Sequence, residues 1–265
     1  MKRTIIIAAI IALTGAVSAN AQEDNQLFNH FAAGATLGVD GLGIQVAAPV
    51  MPYLQVRAGY AINASVTGTG SFGSHKMDNG HTANLDNMPI EAQSYKGGLG
   101  ELFVDFFPGS IGSFKNSGFR VTAGMFAGNG NFLSLKADMR ESMAPEDYAT
   151  TMTTGDVKFS TDPEGYGYGD AFSWKVLPYV GIGTGRAVKL EDKRFSFTFD
   201  AGIAFTGGLK IRTYDFSSGS KVPYAVTSAA TVDEEGVQQD RGLIDALSGF
   251  PLLPVIKFGF FYRLF

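Results

Sequence analysis

The sequence predicts an all-β chain that closes as an eight-stranded antiparallel up-and-down transmembrane β-barrel with long extracellular loops. Three observations lead there. Apolar side chains alternate with small or polar ones over successive segments of strand length, and a strand sends alternate residues to opposite faces. Gly, Pro, Asn and Asp bound those segments. After a tight first hairpin, an outer loop too short to decorate, the connections between them are alternately short and long, as they are when short turns face the periplasm and long loops face outside.

The strands follow in order. In the first, Phe31, Ala33, Ala35, Leu37 and Val39 face one way and Ala32, Gly34, Thr36 and Gly38 the other. Asp40-Gly41 is a hairpin signal. In the second, Leu42, Ile44 and Val46 are outward and Gly43, Gln45 and Ala47 inward, with Pro49 and Pro52 expected to break it. The third has Leu54, Val56, Ala58, Tyr60 and Ile62 outward against Gln55, Arg57, Gly59 and Ala61. The fourth, near Leu99–Phe107, has Leu102, Val104 and Phe106 outward against Glu101 and Asp105. The fifth sets Phe119, Val121, Ala123 and Met125 against Arg120, Thr122, Gly124 and Gly128. In the sixth, Trp174, Val176, Val180 and Ile182 oppose Lys175, Tyr179, Gly181 and Gly183, and Pro178 predicts a bulge or local break, because it cannot donate to the ladder. The seventh has Phe195, Phe197, Phe199, Ala201, Ile203 and Phe205 outward against Arg194, Ser196, Thr198, Asp200 and Gly202. The last, Ile256–Phe265, has Phe258, Phe260 and Tyr262 outward and Lys257, Gly259 and Arg263 inward. Its ending reads Tyr-x-x-Phe, one residue out of phase with Tyr-x-Phe, so either a bulge near Leu264 or an inward Phe265 is expected.

Short connections follow the second, fourth and sixth strands (Pro49–Tyr53, Pro108–Gly118, Lys189–Lys193). Long ones follow the third, fifth and seventh (Asn63–Ser94, Asn129–Ser173, Gly207–Leu252). They are rich in Gly, Ser, Thr, Asn and Asp, as exposed loops are. Within them Val157–Ser160 and Val222–Thr227 are candidate short strands extending hairpins, and Asp233–Ser248 is a candidate short amphipathic helix.

Export is written at the start of the chain. Lys2 and Arg3 precede the apolar run Ile5–Ala16, and Ala19-Asn20-Ala21 is a small-x-small cleavage site. This predicts a cleaved signal peptide over 1–21 and a barrel domain over 22–265. A spanning helix would need about 20 apolar residues, and the run is shorter. With Cys 0 there is neither a lipid-attachment thiol nor a disulfide. The formal net charge of −4 and the lack of a basic run argue against a nucleic-acid partner.

The inward parity carries charge: Arg57, Arg120, Lys175, Lys257 and Arg263 against Glu101, Asp105 and Asp200. Buried charges must pair, and side chains just fill an eight-stranded interior. These eight are therefore expected to interlock and plug the lumen, whereas a cation-lined pore is the alternative. A soluble lipocalin-like barrel would reverse the faces, but the charged parity is crowded with glycine, which suits a tight interior.

Catalysis finds little footing. His30, His75 and His81 are the available imidazoles. Ser71, Ser74, Asp78 and Asp86 lie near the last two, on a Gly-rich loop with nothing visible to fix their geometry. The same His and Asp residues match no metal spacing. Asp138, Glu141, Glu146, Asp147 and Asp156 lack the Asp-x-Asp-x-Asp-Gly order of a calcium loop. Gly68-x-Gly70 and Gly128-x-Gly130 do not precede helices, so no phosphate cradle is implied. Glu101 and Asp105 read as lumenal ion-pair partners. No catalytic residue, cofactor or metal is expected.

Four stretches resemble a family of small outer-membrane β-barrel proteins of Gram-negative bacteria: ELFVDFFPGS (Glu101–Ser110), GFRVTAGMFAGN (Gly118–Asn129), LPYVGIGTGRAV (Leu177–Val188) and the closing PVIKFGFFYRLF. The resemblance covers the strands and not the loops. It implies the cell outer membrane, with its lipid and lipopolysaccharide and the barrel-assembly machinery as partners. The role it leaves is a non-enzymatic one, in which surface loops serve interaction or membrane integrity. A narrow pore for small solutes and a lipid-modifying enzyme are the other readings.

Overall fold

The computed structural model describes residues 30–71, 73–110, 118–154, 157–189, 193–226 and 251–264. In chain order the strands are β1 (Ala32–Gly38), β2 (Gly41–Met51), β3 (Leu54–Ile62), β4 (Val66–Gly70), β5 (Ser74–Lys76), β6 (Thr82–Asn84), β7 (Met88–Ser94), β8 (Leu99–Phe106) and β9 (Phe119–Ala127). They continue as β10 (Asn131–Asp138), β11 (Met152–Thr154), β12 (Val157–Phe159), β13 (Tyr166–Phe172), β14 (Val176–Thr184), β15 (Phe195–Phe205), β16 (Lys210–Asp215), β17 (Val222–Val226) and β18 (Leu252–Arg263). The predicted signal segment, the candidate helix at Asp233–Ser248 and Phe265 lie outside the described residues.

Eight strands, β1, β2, β3, β8, β9, β14, β15 and β18, form a closed antiparallel barrel. The last strand pairs back onto the first from Ala32↔Arg263 to Gly38↔Lys257, so the barrel has no open edge. Alternation decides which residues point in. β14 reads exposed and buried in strict turn from Val176 to Thr184, and the inward parities are the ones the sequence assigns. Small inward residues let the walls approach. At Gly183 an added Cβ would lie 3.0 Å from Asp200 Oδ1 and 3.1 Å from Arg120 Nε.

Three local expectations are corrected and one alternative is narrowed. The first hairpin turn is Val39-Asp40, one residue earlier than the Asp40-Gly41 signal: Gly38 pairs with Gly41, whose φ of 104° only glycine adopts easily. Pro49 does not end the second strand. β2 runs to Met51 and absorbs the proline with a register shift between Pro49 and Met51. Pro178 makes no bulge. Its register with β9 is unbroken, and pairing with β15 begins at Tyr179, so the missing N–H sits at the end of that ladder. At the last strand the ladder stays regular through Arg263, and Leu264 N donates to Phe31 O at 2.8 Å, so no bulge forms there.

The long connections are not open loops. Their strands join into a six-stranded sheet in the order β17-β16-β13-β10-β7-β4. The candidate strands at Val157–Ser160 and Val222–Thr227 appear as β12 and β17. β17 widens this sheet, whereas β12 pairs with β11 in a separate short hairpin. The sheet grows out of the barrel wall. Gly128 N donates to Lys175 O at 2.8 Å and Ser173 N to Gly130 O at 2.9 Å, carrying the β9–β14 register up to Asn131↔Phe172, beyond which β10 shifts by one residue between Asn131 and Leu133. A second core lies on one face of the extension, where Met77, Leu85, Met88, Met139, Met143 and Met152 pack with Ala137 and the short hairpins.

Candidate functional site

The lumen is filled in layers. At the loop end Tyr95, Leu99, Phe103, Phe126, Leu177, Tyr179, Ala204 and Val255 make an aromatic plug. Phe103, Phe126 and Tyr179 stack edge to face with centroids 5.2–5.6 Å apart. At the turn end Ala32, Ala47, Ala187, Val188 and Phe261 close the floor. Charges lie between them.

Arg57 on β3 is the hub. It reaches Asp105 on β8 through Nε at 2.7 Å and Nη2 at 2.9 Å, and Asp200 on β15 through two bonds of 3.0 Å. Arg120 on β9 donates to Asp200 at 2.6 Å and sits 3.4 Å from Asp105. Thr122 and Gln55 donate to Asp105 at 2.7 and 3.0 Å, and Gln55 Oε1 accepts from Val188 N at 2.9 Å. A second group centres on Lys257 of β18, whose Nζ lies 2.5 Å from both Glu101 and Asp40. Gln45 donates to Glu101 and accepts from Arg57, which joins the two groups. Arg57 and Arg120 are 1% and 0% exposed, a burial that charge tolerates only with forked geometry of this kind. The space between Arg57, Phe103, Phe126, Tyr179, Asp200, Val255 and Lys257 is too narrow for a water molecule.

Of the eight charges assigned to the lumen, Arg57, Glu101, Asp105, Arg120, Asp200 and Lys257 come together. Lys175 and Arg263 do not join them. Lys175 is exposed at the loop end, above the aromatic plug, and Arg263 is half-buried at the opposite end, beyond the floor. Parity gives a side chain's face but not its height along the barrel. Asp40 is a member that sequence reasoning missed. It reads as a turn residue, yet it continues the inward parity of Gly34, Thr36 and Gly38, and it is 2% exposed. Gln45 and Gln55 face inward as their parity predicts, but an uncharged side chain gives no sign in the sequence that it belongs to a charge network.

The catalytic and metal candidates of the first long loop are engaged elsewhere. His81 Nδ1 lies 2.7 Å from Asp147 of the second long loop, and Asn79 donates to the same carboxylate at 2.8 Å. Ser71 accepts the Asn87 amide, and Asp86 accepts the Gly73 amide. The segment is thus held by β5–β6 pairing and by the second loop, and the contacts lock loops together. Glu101 and Asp105 are ion-pair partners in the lumen.

The extension also has defined polar chemistry. Burial works to raise the Asp215 carboxyl, but donors from Ser217, Ser160 and Thr151 outweigh it and hold it below the usual aspartate value. Tyr168 donates to Asp162 and Tyr214 to Asp170. Burial and these bonds push both phenols up to about 12. Cations lie over the rings: Lys136 over Tyr166 at 3.6 Å, Lys221 over Tyr214 at 3.9 Å and Arg212 over Phe172 at 4.8 Å.

No protein-family model and no curated protein matches the chain. Among solved structures it is similar to CarO of Acinetobacter baumannii, at 16% identity and a TM-score of 0.48 over 91% of this chain and 99% of that one. It is also similar to CarO2 of the same organism, at 16% identity and a TM-score of 0.47 over 88% and 98%. A third likeness is to a major outer membrane protein from Thermus thermophilus, at 15% identity and a TM-score of 0.42 over 89% and 98%. The barrel itself rests on its own hydrogen-bond register.

Proposed function

We propose that the chain is a non-enzymatic integral protein of the cell outer membrane. Its barrel carries a sealed, salt-bridged lumen and holds an ordered extension at the surface for interaction or membrane integrity. One observation carries the reading: the outward parity of the barrel strands is apolar and bare. Ile44, Phe197 and Leu42 are 70%, 72% and 65% exposed, and the same holds in kind for Leu102, Val121, Val180 and Phe258 on other strands. A soluble monomer rarely exposes more than a few hundred Å² of contiguous apolar surface. A belt round a closed barrel with charge inside is the arrangement that lipid favours. No helix among the described residues is long and apolar enough to cross a membrane, so any crossing is by strands.

Sealing is supported by the two apolar layers and by the charge layer between them. The lumenal carboxylates Asp105 and Asp200 are held by arginines and hydroxyl or amide donors, which suits structure better than proton transfer. Lipid and lipopolysaccharide are the partners in this reading, together with the barrel-assembly machinery during insertion. The test is fractionation with a gel before and after boiling, followed by planar bilayers. The expected result is an outer-membrane protein whose apparent mass changes on boiling and which gives no steady conductance. A soluble periplasmic protein without that change defeats the membrane reading, and a steady large conductance defeats the seal.

A further inference from the structure

The lipid-facing surface does not stop at the rim. Val176, Trp174, Phe172, Asp170, Tyr168 and Tyr166 share one parity, and the backbone bonds of Gly128–Lys175 and Gly130–Ser173 carry the β9–β14 register up to Asn131↔Phe172; the shift that follows lies on β10, between Asn131 and Leu133, and leaves the parity of β13 unbroken. The exposed face of the barrel therefore runs through Trp174 onto the outward face of the extension, away from the face that holds the methionine core. Along that line it changes from aliphatic to aromatic to cationic. Trp174, the one tryptophan of the chain, is 55% exposed at the change, the position such rings take at a membrane surface. Just above it, Lys210 pairs in register with Phe172 and Arg212 with Asp170, and both cations are exposed. Lys136 and Lys221 stand further up. Aromatic rings position Arg212, Lys136 and Lys221. None of the four cations has a carboxylate within ion-pair distance among the described residues. Among the acids of the face, Asp170 takes Ser134 and Tyr214 and Asp162 takes Tyr168, Asp138 pairs with Arg140, and Glu91 lies opposite Lys136 in the β7–β10 register, away from Lys210 and Arg212.

We propose that this face binds the phosphorylated sugar headgroup of a glycolipid in the leaflet around the barrel. Lys210 and Arg212 meet the phosphates nearest the rim, and Lys136 and Lys221 meet the groups above. The inference rests on the outer-membrane reading. Two features of the surface select this occupant: its continuity with the apolar belt, and cations whose donors are left for an anion at the height where headgroups begin.

The full chain is folded into phosphatidylcholine nanodiscs and titrated with fluorescent lipid A or with its dephosphorylated form. Lipid A is expected to bind saturably. Each cation beside an anionic surface contributes about 1 kcal/mol, so the Lys210→Gln/Arg212→Gln double variant should weaken binding tenfold or more. Removing the phosphates from the lipid should weaken binding to the unaltered protein in the same way, a comparison that needs no variant. Lys76→Gln, in the β5 hairpin, should change nothing. Equal binding of the two lipids, or of the double variant and the unaltered protein, overturns the inference. A chain that enters nanodiscs and binds no lipid A overturns it while leaving the membrane reading standing. A chain that fails to enter nanodiscs overturns both.

Discussion

Arg57 holds two carboxylates from different strands with one planar guanidinium, so it ties β3 to β8 and, across the lumen, to β15. Replacing it with Met leaves Arg120 as the one ion-pair cation of Asp105 and Asp200 among the described residues, with Thr122 and Gln55 still donating to Asp105. Breaking a buried pair from one side costs about 3–5 kcal/mol, so the urea midpoint of the refolded protein should fall clearly. Arg57→Lys should recover little of it, because an ammonium cannot fork to two carboxylates. An unchanged midpoint for Arg57→Met would show that the network adds no stability. Titration at the surface has a defined sign. Tyr168 and Tyr214 ionise near 12 in the folded state, above the ordinary value of about 10. Their contribution is whole below about 10 and is lost as pH climbs to about 12. Asp215 is depressed, so its contribution is present above the ordinary aspartate value of about 4 and fades as pH falls below it. Proteolysis of the extension against pH should show protection falling at both ends, and flat protection through the alkaline range would contradict the tyrosine assignment. Six lumenal charges are readable from parity because a two-residue period fixes the face. Parity misplaces Lys175 and Arg263 because it is silent about height, and Asp40 is hidden by its place in a turn.

The extension is the element whose stability is most separable from the rest. Its core holds Met77, Met88, Met139, Met143 and Met152, from segments far apart in sequence. Met152 is fully buried and bridges to Met77. Met152→Ala should cost about 2–5 kcal/mol there while leaving the barrel ladders untouched. Limited proteolysis should then cut the first two long connections sooner, with the boiling-dependent gel shift unchanged. Loss of the shift would mean that barrel and extension fold as one unit. Gly207 is a second point of fit. Its φ is 73°, and a Cβ there would collide with the Trp174 ring, so Gly207→Val should displace the indole and change its emission. An unaltered emission spectrum would refute that contact. The barrel strands are legible in the sequence because each has one wet and one greasy face. Of the sheet above them only β17 is, because the other strands are short and the Gly, Ser and Asn in them read as loop, although one face of the sheet carries the methionine core. Pro49 and Pro178 mislead because a proline breaks a ladder only where its N–H would have been used.

At the scale of the whole molecule, charge and apolar surface exchange their usual places. The exterior of the barrel is bare Leu, Ile, Val and Phe, and the interior holds Arg57, Arg120 and Lys257 with their carboxylates. That inversion is visible in the sequence as glycine and charge sharing one parity. Its closure into a ring follows from the even number of such strands, and β18 meeting β1 across the whole chain completes it. The inversion makes a single test possible on the unaltered protein, because Trp174 lies where the greasy belt ends. In vesicles of brominated phosphatidylcholines with bromine at stepped depths, its fluorescence should be quenched most strongly by bromines closest to the headgroups and progressively less by deeper ones. Quenching by no lipid would contradict the membrane barrel, and strongest quenching from the bilayer centre would contradict the position of its surface.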